Sequence, residues 1–406
     1  MDQASNEAGD SGARHAGRTG NDQFLLTPGP LTTTLSVKQA MLRDWGSRDP
    51  AFIELNADIR RRLTAIANGE TGYVCVPVQG SGTFAIEAAL GTLVPPDGKL
   101  LVLVNGAYGE RMVKIMRRLG RAVIALSTAE NETHDLGEIQ STLQGDPAIT
   151  HVAAVHCETT SGILNPIEQT ADKVHAEGRA LIVDAMSSFG ALPLDAPALK
   201  AAAVVASSNK CLEGAPGMGY AIIKQDVLEG CEGNSPSLAL DLHDQWQAME
   251  GNGQWRFTPP THVMAAFHQA LIEHEAEGGV AGRYRRYRHN CDILIDGMQK
   301  LGFVPLLSVD SQAPIIVTFH MPGDERFDFK AFYDRLVARG YVIYPGKLTV
   351  APSFRIGCIG QIMPEDMTDA VAVIGEELLA MGVKNCGPSG AAIASGATTA
   401  SGATTA

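Results

Sequence analysis

Unbroken apolar runs recur through the first part of the chain: Leu100–Val104, Ala122–Leu126, His151–His156, Ala180–Asp184, Ala202–Ala206 and Gly219–Ile223. Segments of helical character, such as Gly109–Leu119 and Pro166–Glu177, separate them. Runs that are apolar throughout, instead of alternating, predict strands covered on both faces, and hence an α/β unit with a mostly parallel sheet. A ligand of such a sheet sits at the carboxyl ends of its strands. After Gly278 the pattern changes to a helix over Gly282–Leu301, a strand over Ile315–Phe319 and a helix over Phe327–Arg339. Two short strands follow, near Tyr341–Tyr344 and over Ser353–Gly357, and a helix over Pro364–Met381 closes the series. This pattern predicts a smaller α+β domain. The expected organisation is a polar tail to residue 22, a large domain over 23–278 with segment 23–35 folded across its site, a small domain over 279–384, and a tail of small residues over 385–406.

A length of 406 residues with 45% apolar content is enough to bury a core in each domain. With 45 acidic against 32 basic residues the formal charge is -13, which argues against a surface built for nucleic acid or an anionic membrane. No apolar stretch approaches the roughly 20 residues that span a bilayer, and the first 21 residues lack the apolar core of a signal peptide, so a cytoplasmic enzyme acting on small molecules is expected. The seven cysteines, Cys75, Cys157, Cys211, Cys231, Cys291, Cys358 and Cys386, show no metal-ligand or redox spacing, and they are expected to be reduced and partly buried. No metal site is expected. The basic stretch Arg283–His289 reads as a solvated or subunit-facing helix.

Three features carry chemistry. Asp184 closes an apolar strand, where a carboxylate needs a cation or hydrogen-bond donors; capping the next turn through Ser187 is the bland alternative. Lys210 follows the apolar run ending in Ser207-Ser208-Asn209, and conversion to a neutral imine would relieve the cost of its burial. Together they can grip a pyridine ring, the lysine through a Schiff base with pyridoxal phosphate and the aspartate through the protonated ring nitrogen. Upstream, Gly80-Ser81-Gly82-Thr83 reads as a turn opening a helix, whose free N–H groups suit a phosphate. The same string through Ala85 also fits a loose dinucleotide fingerprint, although the following strand ends at Asn105 without the acidic ribose ligand. A nicotinamide-dependent oxidoreductase is therefore the rival class.

The ordered set Leu26–Pro30, Gly80–Thr83, Asn105–Arg111, His156–Gly162, Asp184–Ser188, Ser208–Cys211 and Ser353–Gly357 resembles the class V, fold-type I aminotransferases that use pyridoxal phosphate. The resemblance runs from about Phe24 to Val383. It implies Lys210 as the Schiff-base lysine, Asp184 on the ring nitrogen, Ser81, Gly82 and Thr83 on the phosphate, Tyr108 stacked on the ring, and Thr159 near its phenolic oxygen. It also implies that Thr258 completes the phosphate site of the neighbouring subunit in a homodimer, and that Arg355 holds the substrate's anionic group. Core packing for Tyr108, a turn role for Thr159 and a structural ion pair for Arg355 stay open. Thr32, Thr33, Thr34 and Arg48 would border the entrance. The implied reaction passes the amino group of 2-aminoethylphosphonate to pyruvate in phosphonate catabolism, with alanine:glyoxylate or serine:pyruvate transfer as the alternative.

Overall fold

The computed structural model describes residues 22–346 and 351–389. The expected tails up to residue 21 and from residue 390 lie outside the described residues. A seven-stranded sheet runs in the order Tyr73–Gln79, Met218–Lys224, Ala203–Ser207, Ala180–Asp184, Ile149–Val155, Lys99–Val104, Ala122–Ser127. Met218–Lys224 lies antiparallel to both its neighbours, and every other pair is parallel. Six carboxyl ends therefore meet at one edge. One apolar core lies on each face of the sheet, as fully apolar strands require. Tyr73–Gln79 carries Pro77, which is tolerated because this is the sheet's edge strand.

A three-stranded antiparallel sheet, ordered Ile316–His320, Ser353–Gly357, Tyr344–Pro345, packs with the helices Gly279–Lys300, Phe329–Ala338 and Pro364–Ala380 around a separate core. Two terminal segments join that core. Phe24–Leu25 pairs in parallel with Tyr341–Val342, and Leu26 is buried among the core residues. At the other end Cys386, expected in the tail, is buried there too, and the Gly323 N–H donates to the Gly387 carbonyl at 2.7 Å. All seven cysteines are free and buried.

One face of the basic helix departs from its expected solvation, while Tyr284, Arg285 and His289 are exposed. Arg283 is only 2% exposed and Glu213 5%, and they pair at 3.4 Å. Arg286 reaches the same carboxylate at 2.9 Å, and Glu277 takes both guanidiniums at 2.7 Å. The Tyr287 hydroxyl donates to Glu213 at 2.5 Å, and Arg283 also bonds the Cys211 carbonyl. Burial works against these positive charges, but Glu213, Glu277 and the Tyr287 hydroxyl together outweigh it and hold both guanidiniums above their ordinary range. The helix thus faces inward, onto the turn that follows Lys210.

Candidate active site

Gln79 ends its strand, and Ser81 caps the helix Gly82–Leu93 without a side-chain hydrogen bond to it. The first N–H groups of that helix are left for a ligand. Val104 ends a second strand, and Gly106 leads into the helix Ala107–Arg118, which carries Tyr108 in its first turn. Asp184 is the last residue of the central strand, and Lys210 follows Ser207 on the next strand over. Parallel neighbours bring these carboxyl ends together, and a cavity of about 210 Å³ results, lined in part by Ser81, Gly82, Thr83, Tyr108, Asp184 and Lys210.

Burial pushes the Asp184 carboxyl up to about 7. Among the described residues the hydrogen bond it receives is from the Met186 N–H, at 2.9 Å, and no cation pairs with it. Burial brings the Lys210 amine down to about 8. The Lys210 Nζ donates to the Pro28 carbonyl at 2.6 Å, which ties the N-terminal segment to the site. Gly29 beside it has φ of +119°, which favours glycine, and a Cβ there would stand 2.8 Å from the Lys210 Nζ and displace the end of that side chain.

The remaining expected residues are placed differently. Thr159 and Arg355 are buried next to Tyr108 but do not line the cavity. The Arg355 Nη1 donates to the Thr159 carbonyl at 2.6 Å, Nη2 to the Pro345 carbonyl at 3.0 Å, and its guanidinium lies 4.9 Å from the Tyr344 ring centroid. Burial lowers its pKa, and among the described residues no carboxylate pairs with it. Thr258 is exposed and lines a different cavity, with Gly80, Phe84 and Trp255, so a single chain does not bring it to Lys210. Thr32 and Thr34 have committed hydroxyls: the first takes the Leu25 N–H at 2.8 Å, the second caps a short helix and donates to Glu273. Arg48 is exposed.

Two residues of the site are absent from the sequence-derived set. Arg111 lines the cavity, with its Nη1 donating to the Thr83 hydroxyl at 3.1 Å. Its signal in the sequence is the three-residue step from Tyr108, which puts both on one helical face. Glu158, fully buried, accepts from the Tyr108 N–H at 3.1 Å, the Thr160 N–H at 3.0 Å and the Thr160 hydroxyl at 2.6 Å. Its carboxylate therefore fixes the start of the helix that presents Tyr108 and Arg111. A lone acidic residue between Cys157 and Thr159 is the only trace of this in the sequence.

A family model described as aminotransferase class-V matches residues 37–356. This chain belongs to the class-V aminotransferases. It is 53% identical over 363 residues to the 2-aminoethylphosphonate–pyruvate transaminase of Pseudomonas putida (strain W619), covering 89% of this chain and 99% of that protein. A relative of the same description from Cupriavidus pinatubonensis (strain JMP 134 / LMG 1197) is 54% identical over 364 residues, with 90% and 96% covered. Among solved structures, the pyridoxamine–pyruvate aminotransferase of Mesorhizobium loti superimposes with a TM-score of 0.81 at 25% identity, covering 89% of this chain and 94% of that one. The aspartate aminotransferase of Thermus thermophilus, at 22% identity, covers 88% and 99% with a TM-score of 0.80 and shows the shared fold. The nicotinamide alternative for Gly80–Ala85 gives way to this aminotransferase family.

Class-V aminotransferases use pyridoxal phosphate, and the residues here fit it. The cavity offers an amine lowered toward neutrality, a buried carboxylate with no cation, an aromatic ring and unsatisfied N–H groups at a helix start. Each answers one part of that molecule: aldehyde, ring nitrogen, ring face and phosphate.

Proposed function

We propose that this aminotransferase passes the amino group of 2-aminoethylphosphonate to pyruvate, releasing phosphonoacetaldehyde and alanine. The observation that carries the reading is the 53% identity, over 99% of its length, to a relative described by that reaction. Bound in the cavity, pyridoxal phosphate supplies a reactive aldehyde and a protonated ring that withdraws electrons from the substrate carbon. The Lys210 Nζ, with its pKa lowered by burial, has a substantial neutral fraction near pH 8 and can hold the cofactor covalently. Freed by the substrate amine, the same Nζ would take the proton from the carbon bearing that amine and deliver it to the carbon on the other side of the nitrogen. Asp184 holds the proton on the ring nitrogen, and that partner stabilises its carboxylate in turn. Ser81, Gly82 and Thr83 would hold the phosphate and Tyr108 would cover the ring, with Thr159 behind as the neighbour of Tyr108.

Arg355 carries the substrate's anionic end. A buried guanidinium bonded to carbonyls, with no carboxylate beside it among the described residues, keeps a whole charge for a phosphonate or a carboxylate. The working form is a homodimer in which Thr258 reaches the phosphate of the other copy. Its exposure beside Phe84 and Phe257, which are 50% and 51% exposed, supports that reading. Residues 23–278 act as the cofactor-binding domain and 279–384 as the smaller domain. Seven free buried cysteines suit a reducing compartment, and we assign the enzyme to the cytoplasm. Amino-donor competition tests the proposal: with pyruvate as acceptor, aminoethylphosphonate should exceed serine and alanine in kcat/KM by at least a hundredfold. Preference for serine or alanine would move the enzyme to the neighbouring substrate class.

A further inference from the structure

We propose that Arg111 is a further cofactor-holding residue, the cation that neutralises the phosphate at the Ser81–Thr83 turn; this rests on the pyridoxal-phosphate reading of the cavity. Four observations converge on it. The Arg111 Nη1 already donates at 3.1 Å to the hydroxyl of Thr83, the second residue of the helix Gly82–Leu93, whose Ser81 cap makes no side-chain bond to it. Its guanidinium lies 5.0 Å from the Tyr108 ring centroid, so the aromatic face steadies it. It lines the same cavity as Lys210 and Asp184. Among the described residues no carboxylate pairs with it, although its helix neighbour Glu110 is taken by Lys114 at 3.6 Å.

Charge arithmetic favours the phosphate as its ligand. A phosphate monoester carries about 1.5 to 2 negative charges near neutral pH, whereas a helix start supplies the equivalent of about half a positive charge. The hydroxyls of Ser81 and Thr83 add none. Lys210 is committed to the aldehyde, and Arg355 is held on the Thr159 and Pro345 carbonyls behind Tyr108. Arg111 is the cation of the cavity that touches the turn itself, and its one charge brings the site close to balance. A residue kept only for packing on Tyr108 would not need a guanidinium at this point.

Comparing pyridoxal phosphate with pyridoxal separates the phosphate from the rest of the ligand. The full-length chain, stripped of cofactor, is titrated with each aldehyde and followed by absorbance, beside its Arg111→Met and Arg111→Gln variants. Expected is a loss of at least tenfold in affinity for pyridoxal phosphate in both variants, with pyridoxal changed less than twofold. Inorganic phosphate should slow cofactor uptake by the unaltered chain and lose that effect in the variants. Equal losses for the two aldehydes would make Arg111 a packing residue and overturn the proposal, as would unchanged affinity for both. So would unaltered cofactor affinity with a raised KM for aminoethylphosphonate alone, which would give the guanidinium to the substrate. Failure of the underlying reading looks different: the unaltered chain would take up neither aldehyde, and borohydride would leave no mass increase on Lys210. Arg111→Gln keeps a polar end without the charge, so the comparison survives if the methionine variant folds poorly.

Discussion

Two groups of buried and half-buried charge lie within a few residues of each other, and they treat charge in opposite ways. In the first, Glu213, Glu277, Arg283 and Arg286 give two negative and two positive charges, every one paired, with the Tyr287 hydroxyl filling a remaining position. In the second, Asp184, Lys210, Arg111 and Arg355 have no ion pair among the described residues and rely on carbonyls, hydroxyls and one N–H. A buried charge left uncompensated costs several kcal/mol, and the fold bears that cost around the cavity as well as at Arg121, which is buried on the Leu90, Val94 and Asn234 carbonyls. The paired group bolts the helix Gly279–Lys300 to the turn after Lys210; the unpaired group is the one to which we assign the charges of the ligands.

The contrast can be broken most severely at Lys210. Lys210→Ala should lower transamination by about 10⁴-fold or more, because a covalent and a proton-transfer role vanish together, while thermal unfolding shows an intact fold. A variant that exchanges amino groups at the normal rate would remove Lys210 from the chemistry. In the paired group the effect should fall on stability instead. Glu213→Gln leaves two buried guanidiniums undercompensated and should reduce unfolding free energy by about 3 to 5 kcal/mol, measured by urea titration, with kcat of the folded fraction within about threefold. If activity fell and stability held, the division drawn between the two groups would be wrong.

The pH dependence of the cofactor-free protein sharpens the point. Asp184 binds its proton more tightly folded, near pH 7, than unfolded, near pH 3.8. Its contribution is therefore fully present below about pH 4 and is lost as pH rises to about 7. Relative to Asp184→Asn, the unaltered chain should lose on the order of 4 kcal/mol between those limits, read from urea titrations across the range; parallel curves would show that the carboxyl is not desolvated. Lys210 runs the other way at higher pH, since its neutral form is favoured on folding between about 8 and 10.5. The smallest effect belongs to Arg355. Arg355→Ala should raise KM for both aminoethylphosphonate and pyruvate by about tenfold, the value of roughly 1.4 kcal/mol of anion binding, and steady-state kinetics unchanged for both would exclude it from substrate binding.

Much of this was legible along the chain because the signals are local. An apolar run such as Leu181–Val183 states that its strand is covered on both faces, and Asp184 and Lys210 at the ends of such runs state that something must meet their charge. Arg355 on its strand between Phe354 and Ile356 is of the same kind. Direction was not legible: Gly219–Ile223 reads as one more apolar run, and only pairing shows it reversed between its neighbours. Pro77 masks the strand Tyr73–Gln79, because its tolerance depends on lying at the sheet edge.

The sequence by itself determined the α/β pattern and the order of phosphate turn, aspartate and lysine, since each depends on a residue and its immediate neighbours. Tertiary structure alone decided that Arg111 meets Thr83, that the Pro28 carbonyl meets Lys210, that Glu213 meets Arg283 and Arg286, and that Thr258 stands apart from its own chain's cavity. Those meetings join residues far apart in the chain, and strand order, register and the packing of one core on another set their distances. No run of neighbours carries that information.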